Sequence, residues 1–325
     1  MAGERVPPRD ALALRARLNA LVRDFFAQRG VLEVETPVLS AAGNTDLHIE
    51  SFATDFAGRG EAGVRERFLR TSPEYPLKRL LAAGIGDCYE LGRVFRTGEA
   101  GRSHNPEFTL LEWYRVGWDH HRLMDECAGL VGAALGLAGR RCKVDKTSYI
   151  NWFKGELDLD PIHAGEAALR APLAEFAIDP QGLTRDDWLD LLVTHRLQPA
   201  LPRDRITLVY DYPASQCALA RIRREGPGGS PGLAERFELY LGPHELANGY
   251  HELNEAAEQR ARFERDNARR RERGLRELPI DENLLRVLDA LPDCAGVALG
   301  MDRLLMCLLG SDDICDVLAF PFAQA

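Results

Sequence analysis

Apolar positions Leu14, Leu18, Leu21, Val22 and Phe25 in "DALALRARLNALVRDFFAQR" recur every three or four residues, the spacing of an amphipathic helix that Gly30 closes. "VLEVETP" reads as a strand ending at Pro37. "LHIESFATDF" and "VRERFLRTS" read as an antiparallel pair joined by a Gly-rich turn. Ser72, Pro73 and Glu74 look like a helix start, with Ser72 as cap and Pro73 at the first position, leading into "YPLKRLLAA". Strands are predicted at about 88–96 and 107–116, a helix at about 121–136, and a mostly helical insertion at about 147–200 in which Thr184 is a cap. Strands return in "RITLVYDYP", "CALARIRR" and "RFELYLGPHELANGYHEL". Helices follow at about 255–273 and 281–290, then strand "CAGVALGMDR", helix "LLMCLLG" and a last apolar run, "DVLAFPF".

Consecutive strands on short loops, with helices grouped at intervals, favour an α+β fold with an antiparallel sheet over a doubly wound parallel one. The 325 residues suffice for a large core, and with no internal repeat or low-complexity tract they read as one domain, 1–325.

Composition narrows the function. A hydrophobic content of 45% with 28% charged residues is that of a soluble globular chain. The formal net charge of -9 argues against coating nucleic acid, which needs clustered Lys and Arg. No secretory h-region and no apolar run of roughly 18–20 residues is present, so a cytoplasmic protein is expected. The seven cysteines are odd in number and form no CxxC pair, which speaks against a disulfide framework or a zinc knuckle.

Four stretches could carry chemistry. "VFRTGEAGRSHNPEFTLLEWY" (94–114) gathers Arg96, Glu99, Arg102, His104 and Asn105 in a loop between two strands, and arginine suits bidentate contact with phosphate or carboxylate. The loop equally suits a solvated hairpin. In "GVALGMDR" the small residues Gly296, Ala298 and Gly300 alternate along a strand before Arg303, which fits either a flat ligand or tight packing on a helix. "HELANGYHEL" places Glu245 and Glu252 about Asn248, hard oxygen donors of the kind Mg²⁺ takes, whereas the Asn at 248 rules out HExxH. His244 and His251 read as surface or core histidines, and His120-His121 as a helix start that nothing nearby in sequence completes into a metal site. "RARFERDNARRRERG" reads first as a solvated helix with i, i+4 pairs and second as a dock for an acidic partner.

Taken together and in order, these stretches resemble the class II aminoacyl-tRNA synthetases over nearly the whole chain. "RGVLEVETPVL" is similar to motif 1, "GRVFRTGEAGRSHNPEFTLLEWY" to motif 2 and "GVALGMDRLLM" to motif 3. "TSPEYPLKRLL", "HNPEFTLLEWY", "ELANGYHEL" and "DVLAFPF" are similar to the lysyl branch. The motif 1 helix begins near residue 10, leaving no room for the OB-fold that reads the anticodon in the lysyl enzymes. The resemblance is therefore to the stand-alone elongation factor P lysine ligases, which join (R)-β-lysine to a lysine of elongation factor P.

That resemblance implies ATP as cosubstrate, Mg²⁺, a homodimer through motif 1, and no need for tRNA. It implies that Arg96 holds the α-phosphate and Arg303 the distal phosphates, and that Glu245, with Glu252, carries Mg²⁺. It places Ser72, Pro73, Glu74, Tyr114, Glu252 and Ala298 at the amino acid, with Glu74 facing an ammonium group. Thr97, Gly98, Asn105, Leu246 and Gly300 fall at the nucleotide, with Phe108 stacked on adenine. Two departures stand out. The lysyl enzymes usually read Arg-Asn-Glu where this chain has Arg96, Thr97, Gly98 and Glu99, which opens the question of how adenine is read. They usually have glycine at the position of Ala298, a methyl group expected to bias the pocket towards the β-isomer. The competing readings are a tRNA-charging enzyme of reduced architecture and a non-catalytic lysine sensor.

Overall fold

The structure, a computed structural model, describes residues 9–57, 66–223 and 232–325. The Gly-rich turn expected between "LHIESFATDF" and "VRERFLRTS" lies largely outside the described residues, as does the end of "CALARIRR". Contacts gather the chain into two compact units, Met1–Trp118 with Asn254–Ala325, and Asp119–Leu253.

In chain order the first unit contributes α1 (Arg9–Ala27), β1 (Leu32–Glu33), β2 (Leu39–Ser40), β3 (Ala53–Asp55), β4 (Glu66–Leu69), α2 (Glu74–Ala82), β5 (Cys88–Phe95) and β6 (Glu107–Val116). The second unit supplies α3 (His120–Leu137), β7 (Lys143–Ser148), α4 (Tyr149–Leu157), α5 (Glu166–Arg170), α6 (Arg185–Leu192), α7 (Gln198–Ala200), β8 (Arg205–Pro213), β9 (Ile222–Arg223), β10 (Leu233–Leu241) and β11 (His244–His251). The chain then returns to the first unit with α8 (Ala256–Glu272), α9 (Glu282–Val287), β12 (Cys294–Gly300) and α10 (Met301–Leu309).

In the first unit the strands run β1-β5-β6-β12, and β2-β4-β3 form a small separate sheet. In the second the order is β11-β10-β8-β7, with β9 on β10. Most pairs are antiparallel, but β1 joins β5 and β7 joins β8 in parallel. The antiparallel expectation is corrected there for a topological reason. A parallel neighbour needs a long crossover, and the segment through α2 and the helices α4–α7 supply the two.

Alternation along β6 explains the first unit's core. Leu111 and Trp113 point to one side, where Phe26 of α1 stacks on Tyr89 at 4.5 Å and meets Trp113 at 5.4 Å. Leu14, Leu18, Val22 and Phe25 of α1 are buried with Phe26, whereas Leu21 lies half-buried at the margin of the stripe. The second unit packs Tyr149, Trp152 and Phe153 of α4 and Trp188 of α6 against Val209, Tyr212 and Tyr240 of the sheet. Thr184 caps α6 in a box with Asp187.

Several expected elements are shorter than their apolar runs. "VLEVETP" keeps two residues of strand, and "LHIESFATDF" three. In "DVLAFPF", Val317 and Leu318 are buried while Phe320 and Phe322 are exposed, so that run is only half core. None of the seven cysteines is in a disulfide, and Cys88, Cys127, Cys294 and Cys307 are buried.

Candidate active site

The register of β5, β6 and β12 puts Phe108, Tyr114, Ala298 and Gly300 on the sheet face opposite α1. Across the three strands Gly92, Leu110 and Gly300 align, then Glu90, Glu112 and Ala298, then Cys88, Tyr114 and Gly296. Phe108 lies one step further along β6, opposite Val94. Small residues therefore line β12 on this face, and carboxylates line the middle row.

Glu112 is the charged centre of that face. It is 3% exposed and accepts the hydroxyls of Ser72 at 2.6 Å and Tyr114 at 2.7 Å. Beside it, Glu90 is held by Arg70 at 2.6 Å and by the Thr36 hydroxyl at 2.6 Å. A Cβ at Gly92 would come within 2.6 Å of the Arg70 guanidinium, so a larger residue there would displace that side chain. Sequence motifs alone miss Glu112, Glu90 and Arg70. The signal that could find them is a carboxylate inside each strand-like run, "YELG" and "LLEWY", since a charge survives burial only with partners.

Ser72 serves both sides. Its oxygen accepts the Glu74 N–H at 2.9 Å while its hydroxyl donates to Glu112. Pro73 occupies the cap position of α2 and Glu74 begins the helix, one residue later than expected. The Glu74 carboxylate pairs with Lys78 at 2.6 Å, an i, i+4 bridge in which Lys78 is 1% exposed.

In the loop after β5, the Arg96 N–H donates to the Pro106 carbonyl and the Thr97 N–H to the Glu50 carbonyl, each at 2.9 Å. The Arg96 guanidinium lies 5.1 Å from the Phe108 ring centre and 3.6 Å from Glu99, so it sits over the surface expected to stack on adenine. Gly98 has φ +80°, a conformation costly for any other residue. Asn105 is buried, with its amide donating to the Glu107 carbonyl at 2.6 Å and accepting the Phe322 N–H at 2.9 Å. It ties down the loop and the C-terminal segment.

Arg303 is in the first turn of α10 and contacts His104 Nε2. Burial, and then the Arg303 charge, lower the His104 pKa, which keeps the imidazole neutral as an acceptor. Asp302, 2% exposed, accepts the Thr109 N–H at 2.6 Å and pairs with Arg15 of α1. It fixes the start of α10 to β6, a role the sequence does not reveal.

The arginine-rich segment is largely spent within the first unit. Arg270 is fully buried and holds Glu50 through both carboxylate oxygens at 2.8 Å, and Arg262 pairs with Glu258. Arg260 and Arg271 pair with Glu282 and Glu277. The solvated-helix reading is corrected to that extent, because one edge of α8 is core. Glu50 links this helix to the site, since its carbonyl anchors Thr97.

In the second unit, Glu245 is half-buried on β11 and Glu252, just beyond it, is 1% exposed. The β10–β11 register skips Leu246, so that Leu239 faces Ala247 and Tyr240 faces Glu245. This bulge returns Glu245 to the phase of Asn248, which faces Glu238, and of Tyr250, which faces Arg236. Arg236 binds Glu238 at 2.5 Å and Asn248 at 3.2 Å. Carboxylate oxygens at 245 and 252 suit Mg²⁺ by donor type. His120 and His121 do gain carboxylate and imidazole neighbours in the fold, from strands far along the chain.

The family model for class II tRNA synthetases (D, K and N) matches residues 5–324. The elongation factor P–(R)-β-lysine ligase of Yersinia enterocolitica is 48% identical over 318 residues, 97% of this chain and 95% of that protein. The ligase of the same name from Vibrio cholerae is 48% identical over 97% of this chain and 96% of its own length, and that of Salmonella gallinarum 47% identical over 97% and 95%. The chain belongs to the elongation factor P–(R)-β-lysine ligase family, within the class II tRNA synthetases.

Proposed function

We propose that this chain couples (R)-β-lysine to ATP as an aminoacyl adenylate, releasing pyrophosphate, and passes the β-lysyl group to a lysine side chain of elongation factor P, releasing AMP. The observation that carries the reading is 47–48% identity to ligases of that name over 97% of the chain. The face built from Glu112, Ala298 and Tyr114 supports it with a buried negative charge beside small residues, as a cationic amino acid requires.

Activation needs the lysine carboxylate to attack the α-phosphorus while negative charge builds on the phosphate oxygens. Arg96 supplies a guanidinium for the α-phosphate and Arg303 one for the distal phosphates. Phe108 offers a π-face to adenine once Arg96 turns to phosphate, and Thr97, Gly98, Asn105 and Gly300 complete the nucleotide contacts. Ser72, Pro73, Glu74 and Tyr114 hold the amino acid, joined by Glu112, which takes an ammonium group as its counter-ion. No enzyme nucleophile is needed, because alignment and charge neutralisation suffice. Glu245 and Glu252 would hold Mg²⁺, which would supply positive charge against phosphate oxygens.

We further propose a homodimer. Leu12, Leu32, Val38 and Leu39, in and around the motif 1 segment, expose 37%, 51%, 38% and 49% of their surface, an apolar group that a second copy would cover. Among the described residues no helix is long and apolar enough to cross a membrane, and we place the protein in the cytoplasm, where its acceptor is made.

The test is incubation with ATP, (R)-β-lysine and elongation factor P, followed by intact-mass measurement. One added lysyl residue on the factor is expected. Acylation of tRNA with no change in the factor would favour the tRNA-charging reading. Absence of ATP–pyrophosphate exchange with any lysine isomer would favour the sensor.

A further inference from the structure

Within the second unit, the first turn of α3 meets β8, β10 and β11 at a knot of imidazoles and carboxylates. His120 is 1% exposed, and its Nε2 lies 3.1 Å from Asp211 Oδ1. Asp211 also accepts from Arg223 at 2.8 Å, so it is a carboxylate, and the proton between it and His120 belongs to Nε2. His120 Nδ1 is then a bare lone pair, and it has no hydrogen-bond partner among the described residues. His251, 8% exposed, and the half-buried Glu235 complete the group, with His251 Nδ1 2.5 Å from a Glu235 oxygen. One ligand atom each from His120, Glu235 and His251 lie within 4.8 Å of one another.

We infer that His120, Glu235 and His251 form a zinc site that ties the start of α3 to β10 and β11. The donor set selects the metal. Two imidazoles and one carboxylate suit Zn²⁺ better than Mg²⁺ or Ca²⁺, which take oxygen ligands. Bonds of about 2.0–2.1 Å in a tetrahedron bring ligand atoms to about 3.3 Å, so rotamer shifts of about 1 Å close the group. Asp211 on Nε2 is the outer carboxylate that fixes a metal-bound imidazole. Asp211 and Glu235 carry two negative charges against one on Arg223, which reaches both at 2.8 and 3.6 Å, so a cation relieves the excess. The same contacts without metal would be a salt-bridged knot, but that leaves Nδ1 of His120 buried and unused. His121, whose ring lies 4.1 Å from that of His120, groups instead with His120 and Asp211, on the side of the outer carboxylate.

The site is independent of adenylate chemistry, and so is its test. The full chain, stripped of metal with a chelator, is titrated with Zn²⁺ against a chromophoric competitor, and the one-to-one complex is measured by X-ray absorption at the zinc edge. One equivalent is expected to bind, with a nitrogen and oxygen shell and imidazole scattering. His120→Asn and Glu235→Gln should weaken binding at least about tenfold, and Asp211→Asn by about 10–100-fold. Sulfur in the shell would put the metal on cysteines and overturn the inference, as would no binding, or unchanged affinity in a folded His120→Asn chain. Should that variant not fold, the wild-type absorption spectrum decides.

Discussion

The Ser72 hydroxyl donates to Glu112 across 2.6 Å, which couples the start of α2 to the middle of β6. Glu112 is 3% exposed and takes the Tyr114 hydroxyl on its other oxygen, so two neutral donors share one buried charge. Glu112→Gln should raise the KM for (R)-β-lysine about 10–100-fold, the worth of one charged hydrogen bond, with the KM for ATP unchanged. Ser72→Ala should cost about 1 kcal/mol, roughly fivefold, in the same parameter. ATP–pyrophosphate exchange at varied lysine and varied ATP separates the two. Equal effects on both substrates would show that Glu112 merely supports the sheet.

Much of this face is legible in the sequence. The runs from 88 and 107 become β5 and β6 with the expected bounds to within one residue, because aromatic and β-branched side chains recur along both. The loop arginine, the small residues of β12 and the Glu pair at β11 are readable as motifs. Pairings between distant positions are not. Arg15 with Asp302, Arg270 with Glu50 and His120 with Asp211 are set by how sheets and helices close, and no local period encodes them. Charged residues also mislead by kind. Arg270 sits in a run that looks solvated, yet it is fully buried on bonds to Glu50, Asp46 and Arg276.

Ala298 stands opposite Glu112 in the β6–β12 register and is half-buried, so its methyl group projects beside the proposed cation site. Removing it deepens the pocket by one carbon. Ala298→Gly should raise adenylate formation with α-lysine relative to (R)-β-lysine by about tenfold, within the roughly 1–3 kcal/mol that one methyl commands. Side-by-side pyrophosphate exchange with the two isomers measures the ratio. An unchanged ratio would remove Ala298 from isomer selection.

Asp302 joins three elements, since it begins α10, accepts from Thr109 of β6 and pairs with Arg15 of α1. Breaking a buried pair from one side strands the other charge. Asp302→Ala should destabilise the chain by about 3 kcal/mol, read as a lower urea midpoint, and should slow adenylate formation through Arg303 in the same helical turn. Pairing it with Arg15→Leu should restore part of the stability and little of the activity. If the double variant is as unstable as the sum of the singles, the two residues are not coupled.

Asp266 on α8 has its pKa pushed up to about 6, first by burial and then by the neighbouring Asp46 carboxylate. An unfolded aspartate titrates near about 3.9, so between about pH 4 and 6 the native chain holds a proton that the unfolded chain has lost. Stability from this group is thus fully present below about pH 4 and falls as pH rises towards about 6. Above that, the native state carries an ionised carboxylate that its surroundings disfavour. Asp266→Asn should therefore stabilise the chain at about pH 7.5 by about 1 kcal/mol, allowing for solvent screening of a half-buried group, and should lose that advantage near about pH 4.5. Urea denaturation of both chains at the two pH values gives the comparison. A difference that does not change with pH would trace the effect to the Thr45 contact at 3.4 Å instead of to charge.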